Sequence, residues 1–491
     1  MIKSLNALVV IALLLIGSQV SGQTVTGRLE LGKKDPRPNF MVHSPLDNGL
    51  VMLGPGSTFS SRNIVLTKYD ADFGKSWTVP VLEQNSRKNL DFMTVIGGNI
   101  LVFVSEFNPK SKVIETYYYR FNLDGEKLDD KTLLAVSPNE KAYRTDLMYV
   151  LSSNKRTLLC YRNLENRQEG EKILYFVFDE SGEQTRNGEI SLRFPDNRFR
   201  IAWVRVSNQG NIYFLGKHYH VNRVRDPEDY SYLMFRYDTY SQAIKEYPIE
   251  LGDRFVNDLV FKVDRNEHIF VTGFYSNRST DRITGILIQQ IDSSGAVITE
   301  SSEPFGDSFL SNYLSDGQIN RGKELRNFRI MDPEEGMILR SDGGMLLVAE
   351  NFYITRQSFQ DRFNTMDRTI YNYGDVILTS ISPEGGIEWH AIIDKRQFTE
   401  DPNRGSYFSA ASANGISVFY EANPPRSLGR NIYFNNIGIE GQVTAREPII
   451  DDFNQGADFV PGLCRQVNNK EALLVYYKKQ GRVLSIVRVE L

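Results

Sequence analysis

A short phrase recurs along this chain: an apolar run, a turn of the D-x-x-G kind, then a second apolar run. It stands at Asp70-Ala71-Asp72-Phe73-Gly74, Leu123-Asp124-Gly125, Asp179-Glu180-Ser181-Gly182, Asp238-Thr239-Tyr240-Ser241, Asp292-Ser293-Ser294-Gly295, Ser382-Pro383-Glu384-Gly385 and Gly438-Ile439-Glu440-Gly441. Most copies are ~50–60 residues apart, the length of one four-stranded antiparallel unit. Asp, Asn and Gly suit the turns because they tolerate positive φ and bond their own backbone. Val, Ile, Tyr, Phe and Leu suit pleated, half-buried strands. One such sheet cannot bury both faces alone, so the copies must stack. The predicted fold is all-β: a closed ring of blades, a β-propeller, which is one domain at any number of units.

Each unit divides into four strands. In the fifth they fall at 258–263, 268–274, 285–291 and 296–300. First strands begin near Phe40, Phe92, Leu147, Ala202, Leu259, Met337, Tyr407 and Cys464, which gives eight blades; seven is the alternative, should one weak unit be miscounted. The last unit ends one strand short, while residues 24–31 offer a spare strand before the first unit. Pairing the two seals the ring and removes an unpaired sheet edge. Helical periodicity is confined to 312–328.

Residues 1–22 read as a signal peptide: Lys3, an apolar run from Ala7 to Ile16, and small residues at Val20-Ser21-Gly22. The apolar run is short for a span of ~20 residues, and no Cys follows it for lipid attachment. The propeller is assigned to 23–491, exported to the periplasm, cell surface or medium. The full chain carries a net charge of −4, and loss of Lys3 makes it −5. That balance gives no footing for nucleic acid. Cys160 and Cys464 lie in apolar runs in distant units and read as two small buried hydrophobes.

In such blades the first-to-second and third-to-fourth turns share one face, and here they are short. The other connections are long and irregular: 54–62, 218–230, 352–373, 421–430 and 301–329. Long connections on a rigid scaffold carry binding. Candidate binding residues at their roots are Arg162, His218, His220, Tyr275, Glu350, Phe352, Tyr353, Tyr420 and Glu421. Aromatic rings there suit sugar faces or peptide side chains, although strand-end aromatics also pack blade on blade. His218 and His220 point the same way on a strand and form the sequence's one H-x-H. Asp226, Glu228 and Asp229 follow in the next loop. Glu106, Glu350 and Glu421 recur at one strand-end position and could serve as a glycosidase pair or take Ca²⁺. No other cofactor is expected. P-loop, G-x-S-x-G, H-E-x-x-H and C-x-x-C motifs are absent.

Tyr69 to Trp77 resembles the Asp-box turn of sialidase-like propellers, with Asp72, Gly74 and Trp77 matching and Asp70 where Ser is usual. Ser382 to Trp389 is a looser copy, with Glu384, Gly386 and Trp389. In that family the box is structural. The nearest F-R-I segment, Phe199-Arg200-Ile201-Ala202, is mid-chain and lacks the sialidase Pro. In repeat style the chain resembles the secreted WD40-like and Asp-box propellers of Gram-negative bacteria. The expected function is a non-catalytic scaffold that binds an envelope or extracellular protein, or a glycan, on the long-loop face. The alternative is a polysaccharide lyase or glycoside hydrolase built on His218, His220, Arg162, Tyr275 or the strand-end glutamates.

Overall fold

In a computed structural model, each repeat is an antiparallel sheet whose strands follow one another in chain order. The structure describes residues 24–491 except 33–34, 36–37, 56–62, 84–87, 139–144, 165–169, 196, 222–228, 280–281, 331–335, 361–364, 403, 423–430, 451–456 and 479–480. The expected signal peptide lies outside the described residues. Blade 1 comprises Phe40–His43, Leu50–Pro55, Asn63–Tyr69 and Lys75–Glu83. Blades 2 to 7 span Lys88 to Pro138, Met148 to Ser191, Phe199 to Ile249, Phe255 to Pro304, Phe328 to Ile393 and Tyr407 to Ile450. There are eight sheets, so the fold is an eight-bladed propeller.

Blade 8 is closed from the front of the chain. It holds Asp458–Phe459 with Arg465–Gln466, then Glu471–Lys478 and Val483–Glu490, and its outer strand is Val25–Leu31. The pairing runs from Val25 opposite Val489 to Leu31 opposite Leu484. The outer strand alternates half-buried and exposed positions and ends on buried Leu31, as an edge with one wet face should.

Second strands have both faces covered. Every residue of Ile269–Ser276 is buried, because one face meets the preceding blade and the other the next. The core is accordingly a ring of apolar seams between blades. Val51 packs with Val102, Phe103 with Phe178, Leu159 with Phe214 and Leu215 with Phe261. Ile288 packs with Leu347 and Val348 with Val418, and one last cluster joins Phe419, Leu474 and Met52 across blades 7, 8 and 1. Each fully buried aliphatic side chain contributes roughly 1.5–3 kcal/mol, so continuity of the seam stabilises the circle as a whole. Cys160 and Cys464 are buried free thiols within it.

The recurring turns share one geometry. The Asp179 carboxylate accepts the amides of Ser181 and Glu183 at 2.9 and 3.2 Å, and Asp264 accepts those of Asn266 and His268 at 2.7 and 2.8 Å. In the Asp70 turn it is Asp70, not Asp72, that accepts the amides of residues 72 and 74, at 3.0 and 2.7 Å. Trp77 and Trp389 lie across the next blade's turn. Their indoles donate to the carbonyls of Leu123 and Ile439 at 2.9 and 3.1 Å. Gly125 and Gly441 sit beneath these rings at φ +85° and +83°, where an added Cβ would stand 2.9 and 2.6 Å from the indole.

Between blades 5 and 6 the chain forms two single-turn helices, Asp307–Leu310 and Asp316–Ile319, the second within the predicted helical stretch. Phe305 and Phe309 from this insertion pack on His390, with ring centroids 5.4 and 4.5 Å away.

Candidate functional site

Blade 6 departs from its neighbours on the long-connection face. Its second and third strands, Met345–Gln360 and Thr365–Ile381, run 16 and 17 residues, against 8 in the corresponding strands of blade 7. The stretch 352–373, expected as an irregular connection, instead continues the hairpin in register from Phe352 opposite Tyr373 to Gln360 opposite Thr365. The short strand Gln397–Thr399 adds to its far side by pairing with Tyr371–Tyr373. The result is an arm standing off the ring. At about 3.4 Å per residue its nine further pairs reach on the order of 30 Å. Period-2 alternation puts Phe352, Ile354 and Arg356 on one face and Tyr353 and Thr355 on the other. Tyr353, Ile354 and Phe398 are 43, 50 and 70% exposed.

The arm is rooted in a buried polar cluster. Glu350 forms an ion pair with Lys395, and both side chains are wholly buried. The other carboxylate oxygen accepts the Ser406 hydroxyl at 2.6 Å. Gln397 ties the cluster together: its carbonyl accepts from the Lys395 ammonium at 3.0 Å and the Ser406 amide at 2.9 Å, and its NH₂ donates to the Glu421 carbonyl at 2.8 Å. Burial pushes the Glu350 carboxyl up and the Lys395 ammonium down, and their mutual attraction opposes both shifts. Ser406 holds φ at +78°, uncommon for a residue with a Cβ. It lies on the wall of a 1480 Å³ cavity along the first strands of blades 1, 2, 3, 7 and 8, which reaches the short turns at Leu46 and Asn154. The cluster therefore locks blade 6 to blade 7 and sets the root of the arm.

The predicted residues are spread around the ring. Arg162 is buried between blades 2 and 3, where it donates to the Ser137 hydroxyl and, at 3.1 Å, to the Val136 carbonyl, with Asp146 3.5 Å away. Tyr275 is buried in blade 5 beneath the Arg254 guanidinium, and burial raises its hydroxyl. Tyr420 is buried, donates to Asn435 at 2.8 Å and is pushed up to about 12, chiefly by burial. The Glu421 carboxylate accepts the Phe459 amide at 2.9 Å, bonding blade 7 to blade 8. The Phe352 ring meets that of Tyr373 at a 45° tilt, with centroids 5.1 Å apart.

His218 and His220 do share a side of their strand, with ring centroids 5.8 Å apart; His218 also packs on Phe194 at 4.5 Å. Burial, then His220 and Arg198, lowers the His218 ring below its ordinary value. Asp226 and Glu228 lie outside the described residues. Among the described residues, no three of His, Cys, Asp and Glu gather as a metal site. Glu350 and Phe352–Tyr353 thus meet in one place and Tyr420 packs in the same seam between blades 6 and 7, whereas Arg162, the histidines and Tyr275 belong to other seams. Sequence reasoning missed Lys395, Gln397 and Ser406, which no local motif connects to Glu350.

No protein-family profile and no curated protein matches the chain. Solved structures that it resembles include the polysaccharide lyase Uly1, at 9% identity and TM-score 0.34 over 93% of this chain and 91% of that one. The Cps50 (Swd1) β-propeller domain of Myceliophteria thermophila matches at 10% identity and TM-score 0.34, over 95% and 99%. A puromycin hydrolase matches at 12% identity and TM-score 0.36 over 80% of this chain, which spans about half (51%) of that enzyme. Identities this low carry no activity across. The class of protein is defined by the eight sheets and their closure: a β-propeller with one extended blade.

Proposed function

We propose that this protein is an exported binding scaffold, without catalysis of its own, that holds a protein partner on the face of long connections. The carrying observation is the blade 6 arm, which presents Tyr353, Ile354 and Phe398 to solvent beyond the ring. Exposed aromatic and aliphatic side chains on a rigid projection suit a partner's apolar patch. The strand-end groups that an enzyme would recruit are engaged in holding blades together: Glu350 by Lys395 and Ser406, Glu421 by Phe459, Arg162 by blade 2.

The test is retention of envelope and extracellular proteins by the immobilised chain, run beside a screen of polysaccharides for release of reducing ends or unsaturated uronates. The expected result is a retained protein that is lost when residues 353–372 are replaced by a two-residue turn. Polysaccharide turnover, with protein retention indifferent to the arm, would replace this reading with the lyase or hydrolase alternative.

A further inference from the structure

The edge of the arm on the first-strand side is an unfinished sheet. Phe328–Arg329 occupies the slot beside Met345–Gln360 by pairing with Asn351 and Glu350. The Asn327 carbonyl takes the Phe352 amide at 2.7 Å, and there the ladder stops. The chain leaves the slot at Leu325, which bridges instead to Ile283. Among the described residues, no strand pairs with Tyr353–Gln360 on the side that Phe328–Arg329 occupies. Proteins ordinarily shorten, bulge or cover an edge of this length, because a row of unpaired amides and carbonyls is a template for another chain.

The vacated slot is flanked by positive charge. Arg326 is exposed on the segment that departs from it, Arg329 on the strand that fills its near end, and Arg356 on the open strand itself. The one acid of that segment, Glu324, is taken up by the hydroxyls of Ser276 and Thr284 at 3.0 and 2.6 Å. The whole chain has a net charge of −4, so this local excess runs against the general sign of the protein. Phe328–Arg329 runs antiparallel to the open strand. A further strand continuing the same ladder would abut it with its C-terminal end toward Arg326.

We propose that the open edge of Tyr353–Gln360 takes an extended acidic segment of a partner protein as an added antiparallel strand. The inference rests on the binding-scaffold reading and names the partner's chemistry. Main-chain bonds along the slot supply affinity, and alternate side chains, set against Ile354 and Arg356 on one face and Tyr353 on the other, supply selectivity. Opposite charge at the rim speeds and orients the encounter.

The test uses the full chain and a fluorescent peptide of about ten residues alternating Val with Glu, a length that fills such a slot. Its Val–Lys counterpart, an N-methylated version that cannot donate on one edge, and polygalacturonate are the comparisons. Binding is read by anisotropy and by amide exchange at 353–360. The acidic peptide should bind at least about tenfold more tightly than the basic one and protect the edge amides. N-methylation should abolish binding, and Arg329→Glu with Arg356→Glu should weaken it about tenfold. Polygalacturonate binding as tightly as the peptide, with N-methylation harmless, would overturn the inference in favour of a polyanion surface. Absence of edge protection by any peptide would also overturn it. Arm-dependent protein retention would still stand in that case, so the two readings fail separately.

Discussion

Replacing Glu350 by Leu would leave the Lys395 ammonium in a site where both side chains are wholly buried. Its remaining acceptor is the Gln397 carbonyl at 3.0 Å. Replacing Lys395 by Met would leave the carboxylate with the Ser406 hydroxyl at 2.6 Å. Breaking a buried pair from one side costs about 3–5 kcal/mol, because the survivor keeps its desolvation penalty and loses its partner. Removing both charges with Glu350→Leu and Lys395→Met lifts both penalties at once, so the double variant should lie within about 1 kcal/mol of the parent. The coupling read from the cycle is then at least ~3 kcal/mol. Urea unfolding followed by Trp fluorescence and by far-UV circular dichroism measures all four proteins, and coincidence of the two signals checks that one transition is involved. The account is refuted if each single variant loses less than about 1 kcal/mol, or if the double variant loses the sum of the singles.

His390 should make stability fall in mild acid. Its ring is lowered to about 4 by burial from 6.5, so between these values the unfolded chain binds the extra proton and stability drops as pH falls. With allowance for the ring's partial exposure the loss is about 2 kcal/mol, visible as a pH slope in melting temperature that His390→Phe flattens. Leu31→Ala, at 2% exposure in the closing strand, should cost about 2–3 kcal/mol in urea unfolding. Deleting residues 24–31 should open the last sheet and give concentration-dependent association in light scattering. Gly441→Ala combines φ +83° with a contact of 2.6 Å to Trp389, and should lose about 1–3 kcal/mol in thermal melts while Gly462→Ala, with nothing within 4 Å, loses little.

The sequence displays what local physics decides. A turn whose opening Asp carboxylate accepts the amides two and four residues downstream leaves its mark within five positions, so the repeat, the eight blades and the Val25–Leu31 closure were all visible in sequence. The arm was not. Residues 352–373 carry Thr, Arg, Gln, Ser, Asn and Asp in numbers that resemble a loop, because a strand with solvent on both faces has no apolar row to announce it. The Glu350 cluster was hidden for another reason. Lys395 and Ser406 reach it from beyond the outer strand of the same blade and from the start of the next, and a contact made by the curvature of the ring has no spacing rule along the chain.

Closure by Val25–Leu31 also sets an order of events during synthesis. The segment that completes the final sheet is made before every one of the eight first strands, yet its bonding partner, Val483–Glu490, is made after all the other described strands. The circle must therefore wait, gapped, until Val483–Glu490 has been made. Such a latch, with its two halves separated in sequence by all the other blades, makes the concluding step of assembly an event of very high contact order and hence a slow one. It also means that a prematurely terminated product cannot lock.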